Sequence, residues 1–145
     1  MSDNWLTTWY STSCTGPGWY EGTYMERVTG IGGVFLRSQD PAALAAWYGA
    51  HLGLDIEIWN GAVLRSSGGE TTVWAPFPAE TEYFGRPDQQ AMVNYRVADL
   101  DAMVAQLRAA GVAVDEPQET EDGRFAWATD PEGNRFELWQ PPAGE

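Results

Sequence analysis

The sequence predicts an α+β domain in which one β-α-β-β-β unit is written twice. Three observations predict it. First, Val34–Leu44 (VFLRSQDPAAL) matches Val93–Met103 (VNYRVADLDAM) when Asp40 is laid on Asp99, which also puts Arg37 on Arg96. Second, each copy closes on a strand with a tryptophan, TTVWAP at 71–76 and FELWQP at 136–141. Third, 145 residues with 43% apolar content suffice for one core.

The elements follow in order. Residues 1–24 stand outside the repeat as an aromatic extension. Its two aromatic runs flank Gly16-Pro17-Gly18 and read as a β-hairpin. Aromatics of this kind bury themselves on the cleft mouth, a sheet edge or a second subunit. Cys14 is the only cysteine, so it forms no internal disulfide, and no basic neighbour activates it. Residues 25–145 form one domain: module one at 25–77, a polar linker at 78–89, and module two at 90–142.

In module one a strand at Gly33–Ser38 leads to Asp40 as N-cap and Pro41 at the first helical position. Leu44, Trp47 and Tyr48 give an apolar stripe, and Gly53 stops the helix. Strands are expected around Leu54–Trp59, at Gly61–Arg65 and at Thr71–Pro76, with Gly68-Gly69 turning between the last two. In module two Asp99 caps a helix carrying Leu100, Met103, Val104 and Leu107, and Gly111 ends it. Strands are expected at Val112–Glu116, at Gly123–Trp127 and from Phe136. Asp130-Pro131-Glu132-Gly133 supplies a type I turn before the last.

This order, with DPEGN ahead of a final FELW strand, resembles the vicinal-oxygen-chelate superfamily of glyoxalases, extradiol dioxygenases and bleomycin-resistance proteins. The resemblance covers roughly residues 28 to 142. It implies a curved, mostly antiparallel sheet around a concave cleft, with helices outside. It also implies a homodimer and a small-molecule ligand.

Strand alternation sorts side chains to the two faces of such a sheet. Val34, Leu36, Val93, Tyr95, Val97, Phe136 and Leu138 suit the helix side. The expected cleft lining is Phe35, Arg37, Thr72, Trp74, Met92, Asn94, Arg96, Glu137 and Trp139. An apolar, aromatic surface with a few polar groups suits a small molecule. The competing readings are snorkelling arginines at a half-solvated sheet and tryptophans in the core.

Metal-dependent members of the superfamily place ligands at four strand positions. Carried onto this chain, these are Gly33, Thr72, Met92 and Glu137. Glycine has no donor, a thioether is soft and threonine is weak, so Glu137 alone ligates well. The single histidine, His51, sits at the end of the first helix, where it faces the negative helix terminus. The expectation is no metal and no cofactor. The alternative is one divalent ion, with a shifted register bringing in Gln89 or Gln90.

The net charge of −13 repels nucleic acid and anionic membranes and attracts cationic small molecules. No apolar run approaches the ~18 residues of a membrane helix, and the start lacks signal-peptide features, so the cytoplasm is expected. The leading functional reading is a metal-free binding protein of the bleomycin-resistance type, holding an aromatic or amphiphilic ligand, a drug among the options. The alternative is a glyoxalase- or dioxygenase-like enzyme, a lyase, epimerase or oxygenase, using Glu137 as metal ligand or general base. A third reading makes the aromatic extension a docking arm.

Overall fold

The computed structural model describes Trp19–Tyr20 and residues 23–144. β1 (Trp19–Tyr20) and β2 (Thr23–Tyr24) pair antiparallel. Cys14 and the Gly16-Pro17-Gly18 turn lie outside the described residues.

Seven strands form one mixed sheet: β3 (Val28–Ser38), β4 (Ala62–Arg65), β5 (Thr71–Pro78), β6 (Ala91–Val97), β7 (Gln118–Thr120), β8 (Gly123–Thr129) and β9 (Arg135–Gln140). Their spatial order is β4-β5-β3-β6-β9-β8-β7. Within each half the first strand runs parallel to the last, β3 with β5 and β6 with β9. The halves join antiparallel through β3 and β6. The α+β expectation holds, and both halves share a strand-helix start and a closing antiparallel strand pair, with one expected strand missing from the first half.

Both helices begin as the sequence predicts. The Asp40 side chain accepts from the Ala43 N–H at 3.0 Å, starting α1 (Pro41–Leu52), and Gly53 leaves it at φ 70°. Asp99 accepts from the Ala102 N–H at 3.0 Å, starting α2 (Leu100–Ala109). On α2, Leu100, Met103 and Val104 are buried against Val97, Ala126 and Leu138. The stripe predicted for α1 is only partly right. Ala45 is its buried contact and Trp47 is exposed, because the small alanine lets the helix lie close to the sheet.

Two expected strands differ. Leu54–Trp59 forms no strand. Val112–Glu116 contributes a single bridge, Val114 to Ala128, and the ladder in that half is β7 at Gln118–Thr120. Both segments follow a helix end and lie at the sheet margins, where few ladder bonds are on offer. The Asp130–Asn134 turn forms as predicted. Gly133 N–H donates to the Asp130 carbonyl at 3.0 Å, and Asp130 Oδ1 accepts from the Glu132 and Asn134 N–H groups.

The segment between β5 and β6 is held by two side chains. The Arg37 guanidinium donates to the carbonyls of Gln89, Ala79, Thr81 and Arg86 at 2.6–3.2 Å, and lies over the Phe84 ring at 5.2 Å. Gln89, 4% exposed, donates to the Ala91 and Arg135 carbonyls and accepts from the Arg135 N–H. One guanidinium reaches four carbonyls, and lysine cannot reproduce its planar fork. Arg37→Lys is expected to lower unfolding free energy by about 2 kcal/mol in urea melts and to speed proteolysis within residues 79–90. An unchanged melt would show that the segment holds itself.

Candidate active site

Five strands align one residue each across the cleft face. β-pairing sets Val73 beside Gly33, Gly33 beside Asn94, Asn94 beside Glu137, and Glu137 beside Trp127. The register of β3 against β6 slips between Ile31 and Gly33, so Gly32 and Gly33 both lie on this side. A β-carbon at Gly32 would run into Asn94 Oδ1 and the Trp139 ring. The glycine is what lets Asn94 and Trp139 sit in the floor of the cleft.

The cleft encloses 540 Å³, and Phe35, Val73, Phe125 and Trp139 line it together with Asn94 and Glu137. Arg65 and Thr71 stand at the β4–β5 end, Glu121 and Asp122 at the β7–β8 turn. Phe125 and Trp139 lie nearly parallel, their ring centroids 6.3 Å apart.

Glu137 is 2% exposed. Its Oε1 accepts from Asn94 Nδ2 at 2.5 Å. Its Oε2 accepts from Trp127 Nε1 at 2.7 Å and from the Tyr83 hydroxyl. All three donors are neutral. Burial pushes the Glu137 carboxyl above the ordinary carboxylate range, and the three hydrogen bonds with the more distant Arg135 charge pull only partly against it. Burial, and then the neighbouring Glu137 charge, raises the Tyr83 phenol well above its usual value.

The predicted site residues divide. Phe35, Asn94, Glu137 and Trp139 come together at the cleft. Met92 shares their face but is fully buried beneath it, among Phe35, Phe84 and Trp127. Arg96 lies at the side, over the Trp139 ring at 5.3 Å and 3.7 Å from Glu70. Three placements correct the sequence-based expectation. Arg37 is spent on linker carbonyls, since a guanidinium at the end of β3 meets four of them there. Trp74 lies on the helix side, 4.4 Å from the Tyr48 ring, and Thr72 shares its parity, donating to the Ile31 carbonyl at 2.9 Å. The reason is register: pairing Gly33 with Val73 turns Thr71, Val73 and Phe77 toward the cleft side.

Sequence reasoning missed Tyr83, Trp127 and Phe125. Counting back across the Asp130 turn pairs Thr129 with Arg135 and so Trp127 with Glu137, a signal that was available. Nothing in the sequence brings Tyr83 there, because the Arg37 and Gln89 contacts deliver it.

A resident divalent ion does not fit this donor set. The central row offers Val73, Gly33, Asn94 and Glu137, two donors that already bond each other, and three protein donors point at the carboxylate. Thr72 and Met92 lie off that row. Both amide ends of Gln89 are taken by backbone, and Gln90 Nε2 donates to the Arg37 carbonyl at 2.8 Å. Among the described residues, no three His, Cys, Asp or Glu side chains gather as a metal site.

A glyoxalase-like domain matches residues 33–139. The chain belongs to that family. No curated protein matches the sequence at a significant level. Among solved structures, methylmalonyl-CoA epimerase from Mycobacterium tuberculosis is similar at 25% identity and TM-score 0.60, covering 79% of this chain and 89% of that one. A variant of the Streptomyces coelicolor methylmalonyl-CoA epimerase in complex with 2-nitronate-propionyl-CoA is similar at 23% identity and TM-score 0.63, covering 81% of this chain and 100% of that one. A methylmalonyl-CoA epimerase in complex with methylmalonyl-CoA and NH4+ reaches TM-score 0.64 at 23% identity, covering 82% and 99%. Among the described residues no helix is long and apolar enough to cross a membrane.

The raised Glu137 pKa has a signed consequence for stability. The folded chain holds this proton at pH values where the unfolded chain, titrating near ~4.3, has released it. Stability from this group is therefore full below about pH 4, declines as pH rises through the folded pKa, and is level above it. Glu137→Gln removes the titration. Its carbonyl can keep the Tyr83 and Trp127 bonds while the Asn94 amide turns to accept. Unfolding midpoints measured between pH 4 and 8 are expected to move in the variant's favour, relative to wild type, as pH rises. A constant difference would place the folded pKa at its ordinary value.

Proposed function

We propose that this protein is an enzyme that moves a proton at a carbon beside a carbonyl group, with Glu137 as the proton carrier. The observation that carries this reading is a carboxyl group in an aromatic cleft, desolvated and held by neutral donors alone. Such a setting lifts a carboxyl toward the pKa that general acid–base work needs. The likeness to epimerase structures supports the same class of chemistry, and it favours an enzyme over a binding protein of the drug-resistance type.

Glu137 takes the proton from carbon on Oε1, which has only the Asn94 bond, and the C–H electron pair moves onto the carbonyl oxygen as an enolate. Arg65, the cationic side chain among the described lining residues, is the candidate to stabilise that charge from across the cleft. Returning the proton from Oε1 to the same face restores the ketone or ester with its configuration kept. Asn94, Trp127 and Tyr83 fix the carboxyl and disperse its charge.

Proton NMR in D2O tests this on a panel of carbonyl compounds with an acidic Cα–H, acyl-CoA thioesters and amino ketones included. At least one member is expected to exchange hydrogen for deuterium, and Glu137→Gln is expected to slow that exchange 10²–10⁴-fold. Saturable binding across the panel with no exchange would return the protein to the binding-only reading.

A further inference from the structure

Similar structures have been solved with CoA esters, which are polyanions, whereas the cleft of this chain is electrostatically hostile to them. Its open end at the β7–β8 turn is lined by Glu121 and Asp122. The same two residues form one wall of an adjoining groove that also holds Glu82, Asp115 and Glu116. The one arginine of that groove, Arg135, is already paired with Asp115 at 3.0 Å. The chain as a whole carries −13, so no distant basic field offsets these acids.

The floor of the cleft makes a second, independent demand. Asn94 is 3% exposed, and its Oδ1 is a buried acceptor with no hydrogen-bond partner. Its amide nitrogen is committed to Glu137, so the oxygen turns the other way, over Gly32, a residue of the cleft lining. An acceptor left unmatched in this way costs stability until a donor reaches it. The Trp139 ring lies beside it and already holds one cation, the Arg96 guanidinium 5.3 Å from its centroid, the kind of contact an ammonium group favours.

We infer that the cleft takes a small carbonyl compound bearing a protonated amine. One ammonium N–H meets Asn94 Oδ1, the aromatic faces and the Glu121 and Asp122 carboxylates surround the charge, and the carbonyl end lies toward Arg65. This inference rests on the proton-transfer reading for its carbonyl, but its charge selectivity stands apart from any turnover.

Intrinsic tryptophan fluorescence, titrated with phenethylammonium, phenylacetate and propionyl-CoA, tests the selectivity. Phenethylammonium is expected to bind at least tenfold more tightly than either anion, and to weaken severalfold when NaCl rises from low to half-molar concentration. The double substitution Glu121→Gln with Asp122→Asn is expected to weaken it about tenfold, as is Asn94→Leu. The turn substitutions alter only exposed side chains, so they carry the test if Asn94→Leu fails to fold. Equal or tighter binding of propionyl-CoA, or ammonium binding indifferent to both variants, overturns the inference, whether or not Glu137 exchanges protons. Selective ammonium binding without deuterium exchange on any panel member would sustain it and remove the proton-transfer reading instead.

Discussion

A carboxyl group with no cation beside it stands at the centre of this protein. Burying Glu137 would be prohibitive without donors, and three strands and a loop each contribute to its setting. β6 supplies Asn94, β8 supplies Trp127, β9 carries the carboxyl itself, and the β5–β6 connection supplies the Tyr83 hydroxyl. Each donor is neutral, so the carboxyl is solvated by hydrogen bonds without being locked into a salt bridge. That balance leaves burial as the dominant influence on the carboxyl, and the surrounding architecture is what maintains it.

The supporting interactions are polar contacts to backbone. Arg37 gathers carbonyls from both ends of the connection, Gln89 ties its last turn between β6 and β9, and Phe77 packs at 5.3 Å on the Tyr83 ring. Together they turn an irregular segment into a fixed wall. On the other side, Gly32 and the register slip beside it leave the space into which Asn94 and Trp139 project. A cleft of 540 Å³ results, and a β-carbon at Gly32 would push Asn94 and Trp139 out of its floor. The acids at the β7–β8 turn then line one end of that cleft with negative charge.

Local signals in the sequence were read well where a single neighbouring residue decides the outcome. Asp40 and Asp99 cap helices within three residues of themselves, and the Asp130–Gly133 turn closes through its own backbone. Strand faces were legible in β6 and β9, where one parity is apolar and packs under α2. They were not legible in β5, because Trp74 suits either face and the likeness of TTVW to FELW argued for the wrong one.

The sequence by itself determined the repeated strand-helix unit, the helix caps, the closing hairpin and the place of Glu137 on a cleft-facing position. These depend on contacts within a few residues or on a periodicity that repeats. Only the tertiary structure decided what surrounds Glu137. Which residues flank it is a matter of strand register between segments far apart in the chain, and the arrival of Tyr83 depends on an arginine that spends its donors on a loop. Neither leaves a local mark. The stretch TDPEGNRFELW therefore declared its carboxylate openly, while its character, a desolvated acid among neutral donors, came from the partners that folding brought to it.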